Sequence, residues 1–270
     1  FYRDVVGLRV REQGDGRAVL GTAADAGGTA EVDDSAGGAV ATDLLVLEED
    51  PDAGPRPSNA AGLFHTAFLF PSRSALGDAL ARGRDAGERL TGASDHHVSE
   101  ALYLQDPESN GVEIYRDRPR EAWPTTGDGR VRMATERLDL DDLAREGGEG
   151  ASGADGATAA PAGTDVGHVH LEVTSLAAAR ECYVDALGLG VRQELDGALF
   201  LAAGDYHHHV GCNVWNGRSD PAAGRGLAWF EVVVPDADAL AAARERCERA
   251  DLTVRSLDVE GVAVTVTENT

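Results

Sequence analysis

The hydrophobic pattern of this chain changes period in a fixed order, and it does so more than once. In GLFHTAFLFPSRSALGDALARGRDAG (62–87) a short β-forming run ends at a Pro, and Ala, Leu and Arg then recur at helical spacing up to a Gly. GLAWFEVVVPDADALAAARERCERA (226–250) repeats that order, and VGHVHLEVTSLAAARE (166–181) gives it a third time, its helix ending at Gly188. Short apolar segments separated by Gly and Asp turns follow each copy, as strands of one sheet would. A further copy shows in FYRDVVGLRV (1–10), which matches CYVDALGLGV (182–191) at Tyr, Asp, Gly, Leu and Val. A repeat of this kind outranks any local reading.

We therefore read four βαβββ modules, beginning near residues 1, 62, 166 and 226. The first lacks its leading strand and most of its helix. The fourth stops in VAVTVTENT, where the second has its Asp-Pro turn, so both outer modules read as truncated. A module this small cannot bury both faces of its curved sheet, so modules must pair. The predicted fold is α+β, with modules one and two in a half-barrel domain at 1–118 and modules three and four in another at 166–270. The connection, 119–165, begins with enough Trp, Met and Leu to dock on a domain. It ends in GGEGASGADGATAAPAGTD, whose composition predicts a flexible linker. Residues 21–38 are low in apolar side chains and predict an exposed loop.

Composition narrows the partners. With 47 acidic residues against 24 basic ones, all of them Arg, the formal net charge is −23. Such a surface repels nucleic acid and anionic membrane. The excess is spread along the chain, a pattern similar to proteins of salt-loving archaea, whose internal salt screens self-repulsion. No apolar run approaches membrane-spanning length. Cys182, Cys212 and Cys247 are isolated and odd in number, which fits a reducing cytoplasm better than a disulfide framework. The chain opens on Phe1 rather than Met, and we expect residues upstream of it.

Candidate chemistry concentrates in DHHVSEALYLQDPESNGVEIY (95–115). A segment ending in Tyr103 leads into an Asp106-Pro107 turn, and a second segment carries Glu113 between Val112 and Ile114. Alternation puts Val112 and Ile114 on one face and Glu113 with Tyr115 on the other. If that second face is open, Glu113 is simply hydrated. If it is closed, the carboxylate requires a partner or a metal.

Four βαβββ modules with a Tyr-x-Asp-x-x-Gly-Leu helix end resemble the vicinal oxygen chelate superfamily, which includes glyoxalase I and the type I extradiol dioxygenases. The stretch at 95–115 is similar to the extradiol ring-cleavage signature through His96, Leu102-Tyr103, Asp106-Pro107 and Glu113. Ser94 and Ser109 depart from it mildly. The layout as a whole, with GLFHTAFLFP and YHHHVGCNVWNG, most resembles four-module catechol-2,3-dioxygenases.

That resemblance implies a divalent metal, Fe(II) first and Mn(II) or another divalent ion on the same donors, together with a small aromatic diol and O₂ as substrates. It implies His65 and Glu113 as metal ligands. A second histidine is either His168, which aligns with His65 between modules three and two, or a residue upstream of Phe1. His96 and Tyr103 take the catalytic, proton-handling positions, a task for which imidazole is suited near neutral pH. His170, His207, His209 and Tyr115 are candidates to line the cavity or support the ligands. Strand alternation would put His207 and His209 on one face and His208 on the other. His97 reads as a solvated turn residue, and Trp229, standing where module two has His65, predicts a metal-free fourth module. Homo-oligomers are compatible with this class, although no interface pattern stands out. Two other activities suit the same fold: a glyoxalase-like metal-dependent isomerase or lyase, and a metal-free protein that sequesters a planar ligand.

Overall fold

In the computed structural model, the described residues are 1–22, 43–127, 129–147, 159–250, 253–255, 258–259 and 261–267. Residues 23–38 of the loop expected at 21–38 and most of the Gly/Ala-rich linker lie outside them, while Gly21 ends a strand. The chain divides into two compact units, Phe1–Ala53 with His65–Gly167, and Gly54–Phe64 with His168–Thr270. The segment Gly54–Phe64, expected in the first domain, thus clusters with the second unit.

The first unit opens with a π-helical turn, Tyr2–Val6, and an antiparallel sheet of β1 (Arg9–Gly14), β2 (Arg17–Gly21) and β3 (Asp43–Glu48). Module two follows as β4 (Gly62–Leu69), α1 (Arg73–Asp85), β5 (Gly92–Asp95), β6 (Ser99–Gln105) and β7 (Gly111–Asp117). Its last strand returns parallel to its first, while β6 pairs antiparallel with both β7 and β5. Helix α1 starts where the Ser72 hydroxyl accepts the Ala75 N–H at 3.1 Å. It buries Ala75, Leu76, Ala79 and Leu80 against Phe68, Leu102, Leu104, Val112 and Ile114. That stripe repeats at helical spacing and the strand residues at every second position, so each pattern delivers one apolar face to a common core.

The first part of the connection docks as its composition predicts. It contributes β8 (Glu136–Arg137), which pairs with β5, and α2 (Leu140–Glu146), capped by the Asp139 carboxylate. Leu138 and Leu143 are buried in the same core, and buried Trp123 donates its indole N–H to the Arg118 carbonyl at 2.8 Å.

The second unit repeats the βαβββ order with β9 (Asp165–Glu172), α3 (Leu176–Arg180), a π-helical turn (Glu181–Ala186), β10 (Gly190–Leu195), β11 (Ala198–Ala202) and β12 (Val210–Asn213). Again the last strand runs parallel to the first. Module four departs from this. Its β13 (Glu231–Val234), α4 (Ala237–Arg249), β14 (Thr253–Arg255), β15 (Asp258–Val259) and β16 (Gly261–Thr267) pair through β16, antiparallel throughout. Among the described residues no helix is long and apolar enough to cross a membrane.

One contact explains why the repeated Gly-Leu ends both matching helices. Buried Arg82, on α1, donates to the Val5 and Val6 carbonyls at 2.8 and 2.7 Å, closing the turn that ends module one's helix. Desolvation pushes its guanidinium down to about 10, which still leaves it charged at neutral pH. In the second unit Arg246, on α4, donates to the Ala186 and Leu187 carbonyls at 3.1 and 2.8 Å. Gly7 and Gly188 follow these turns at φ +91° and +93°, and a Cβ on either would meet the arginine at 2.9 Å. Gly7→Ala should therefore cost about 2–3 kcal/mol, the left-handed penalty plus displacement of a buried cap. Urea denaturation would show it as a lowered midpoint, with Gly14→Ala, which meets nothing within 4 Å, close to wild type.

Candidate metal centre

Both faces of β7 are closed. Val112 and Ile114 pack into the α1 core, and Tyr115 packs on the other face with Ala67 and Ala101. Glu113, only 3% exposed, shares that second face, so the reading of a hydrated carboxylate is excluded. Register then decides what surrounds it. Ala67 of β4 pairs with Glu113, which brings His65, two residues earlier on the same face, within reach from β4. Its Nε2 stands 3.0 Å from the Glu113 carboxylate. On the other side Tyr103 of β6 lies directly opposite Glu113.

Tyr103 joins two groups. Burial, then the charge and hydrogen bond of Glu113, hold its phenol well above the usual range, so it stays protonated. Its hydroxyl is also 2.7 Å from His96 Nε2, while His96 Nδ1 is 2.6 Å from the Ala134 carbonyl. A carbonyl only accepts, so Nδ1 carries a proton and neutral His96 offers Nε2 as acceptor. The Ala134 contact comes from the connection, and nothing in the side-chain pattern announces a backbone carbonyl. The neighbouring His97, at φ +68°, turns away and sits 3.1 Å from Glu136.

In the second unit, buried His168 lies beside the histidine triplet, its ring centroid 4.0 Å from that of His208 and 6.0 Å from that of His207. The expected alternation of the triplet does not hold. Strand β12 begins only at Val210; the backbone of His209 already bonds to Leu201 and Val169, while His207 and His208 lie in the bend before it. His207 and His208 are buried and share a hydrogen bond between their Nδ1 atoms at 2.7 Å, so one donates and the other accepts. His209 instead stacks on Tyr206 and accepts the Ala203 N–H.

His170 is held apart. Asn213 Oδ1 accepts the Trp215 N–H, which leaves its amide to donate to His170 Nε2 at 3.1 Å. Neutral His170 therefore carries its proton on Nδ1, among the rings of Phe64, Phe200 and Trp215. Tyr115 is fully buried, its hydroxyl so close to Gly167 that a Cβ there would lie 1.8 Å away. Gly167 is consequently the only residue type that fits beside it.

Among the described residues one group of metal-ligating side chains has its donor atoms together: His65, Glu113 and His168, all buried, within 4.8 Å of one another. Two donors on one ion, each about 2.1 Å from it, stand no more than about 4.2 Å apart. A few tenths of an ångström of side-chain movement gathers the set, and two imidazoles with one carboxylate suit a divalent transition metal.

This fold and donor set belong to a known group. Residues 1–114 match the model of the Glyoxalase/Bleomycin resistance protein/Dioxygenase superfamily. The catechol-2,3-dioxygenase of Bacillus subtilis (strain 168) is 38% identical over 264 residues, 96% of this chain and 85% of that enzyme. The chain belongs to that superfamily and is an enzyme of its dioxygenase kind. The biphenyl-2,3-diol 1,2-dioxygenase 3 of Rhodococcus globerulus matches a shorter stretch, 37% identical over 25% of this chain and 37% of that enzyme. Glyoxalase I from Zea mays superposes with a TM-score of 0.43 at 11% identity, over 95% of this chain and 76% of that one.

Proposed function

We propose that the protein is an Fe(II)-dependent extradiol dioxygenase that opens a catechol-type ring with O₂, and that His65, Glu113 and His168 hold the metal. The observation that carries this is the convergence of those three buried donors within 4.8 Å. Two imidazoles and a carboxylate on one side of an ion leave positions open for a diol and for O₂. When bound, the metal would supply the place where those two meet, and the overall reaction puts both oxygen atoms of O₂ into the opened product.

The side chains handle the protons. An ionised Glu113 can only accept, so Tyr103 points its single proton either at Glu113 or at His96 Nε2. When it turns to His96, Nε2 accepts it and the bond to Glu113 is given up. The phenol can then pass its own proton to Nε2 while taking one from a substrate hydroxyl, and never carries charge itself. That suits a tyrosine whose ionisation burial and Glu113 both oppose. Once His96 holds two protons, Nε2 becomes the donor and the Tyr103 hydroxyl turns to Glu113. The hydrogen-bonded pair of His207 and His208 beside His168 adds a second proton-holding group. We read the −23 charge as adaptation to a salt-rich cytoplasm.

The test loads the protein with Fe(II) under nitrogen, in parallel with Mn(II), then adds catechol and admits air. A yellow ring-opened product is expected. Tyr103→Phe, which interrupts the relay but leaves the donors, should slow its formation by about 100–10,000-fold. One bound metal per chain with no product from any catechol would overturn the reading.

A further inference from the structure

We propose that the first unit carries a second binding site, for an uncharged apolar molecule the size of a single benzene ring, behind the strands of the metal centre. The inference stands apart from the ring-cleavage reading. A cavity of about 160 Å³ lies among the π-helical turn at Tyr2–Val6, the second half of α1 and strands β6 and β7. Its walls are Val5, Leu80, Leu102, Leu104 and Ile114, all 3% exposed or less. These side chains offer water no hydrogen-bond partner, so water against them is easily displaced by an apolar molecule. The space is open to solvent on one side, where exposed Arg84 and Glu88 stand, so a small apolar molecule can enter and cover these walls.

Two features argue that this space is more than a packing gap. Gly83 lines it from within α1, and a Cβ there would meet only Val5, at 4.0 Å. Sterics thus permit alanine at Gly83, and helix propensity favours it, yet the residue is the one that leaves the space widest. Charge is confined to exposed Arg84 and Glu88 beside it, so a charged ligand would lose its hydration inside. The placement also couples the cavity to the centre. Leu102 and Leu104 flank Tyr103 on β6 and Ile114 follows Glu113 on β7, so a filled cavity braces the backs of both strands.

Benzene titrated into the intact protein up to its solubility limit should bind saturably, and the thermal midpoint should climb with its concentration. Gly83→Leu, which fills the space, should abolish that saturable binding. Should this variant not fold, a wild-type crystal under xenon pressure decides, with a xenon site expected among Leu80, Leu102 and Leu104. Absence of saturable binding to folded wild type, undiminished binding to folded Gly83→Leu, or no xenon at that place would each overturn the proposal.

Discussion

Glu113→Ala should end metal uptake. After anaerobic incubation with Fe(II) and desalting, wild type is expected to retain close to one ion per chain and the variant almost none. Groups one step behind a ligand are worth roughly 10–100-fold in metal affinity, so loss of the ligand itself costs more than about 100-fold, and ring cleavage falls with it. The reason lies in the burial of Glu113. Its carboxylate is 3% exposed and held by His65 at 3.0 Å and by Tyr103, without an arginine beside it in either contact. Truncation also takes a partner from His65 and Tyr103 and leaves a small cavity, so some loss of stability accompanies loss of the ion. The metal-free variant should therefore melt below metal-free wild type, and uptake is read on protein still folded at the assay temperature, which separates loss of the ion from loss of structure. Metal content equal to wild type in folded Glu113→Ala would remove the centre as drawn.

The sequence made this centre partly legible, and for identifiable reasons. Strand alternation fixes which residues share a face, so Glu113 and Tyr115 could be grouped from the pattern, while His65 and Tyr103 joined them through the family resemblance. Repetition also exposed the helix ends at Gly7 and Gly188. What alternation cannot reach is anything outside a ladder. The triplet at 207–209 looked like strand throughout, but only His209 bonds to the neighbouring strands; His207 and His208 lie in a bend, and His208 came to lie beside His168. The Ala134 carbonyl that sets the His96 proton belongs to the connection, where no periodicity applies. Arg82 and Arg246 read as ordinary helix arginines, since only the three-dimensional return of α1 and α4 shows that they cap a neighbouring module. Glu100 was hidden in the same way, one more acid in a chain with 47.

Glu100→Gln should nevertheless be among the most destabilising single changes in the first unit. This carboxylate on β6 is 3% exposed and accepts from Arg73 at 2.9 Å, from Arg116 at 2.6 Å and from Arg118 at 3.3 Å. The same arginines reach outward, Arg73 to Asp142 at 2.8 Å on α2 and Arg118 to Asp95 at 2.5 Å. Glu100 thus fastens the docked connection to the sheet. Breaking a buried ion pair by removing one partner costs about 3–5 kcal/mol. Because the three arginines keep between 11% and 31% of their side chains in water, they recover some hydration, and about 2–4 kcal/mol is the expected loss. For a unit of this size that is a fall of roughly 4–16 °C in thermal midpoint. Glu146, half-exposed and 3.4 Å from Arg73, provides the contrast: Glu146→Gln should change stability by less than about 0.5 kcal/mol. Residues 119–147 should also become protease-sensitive in Glu100→Gln before the sheet melts. An unchanged midpoint would mean that buried Leu138 and Leu143 hold the connection by themselves, and that the arginine cage follows the docking rather than causing it.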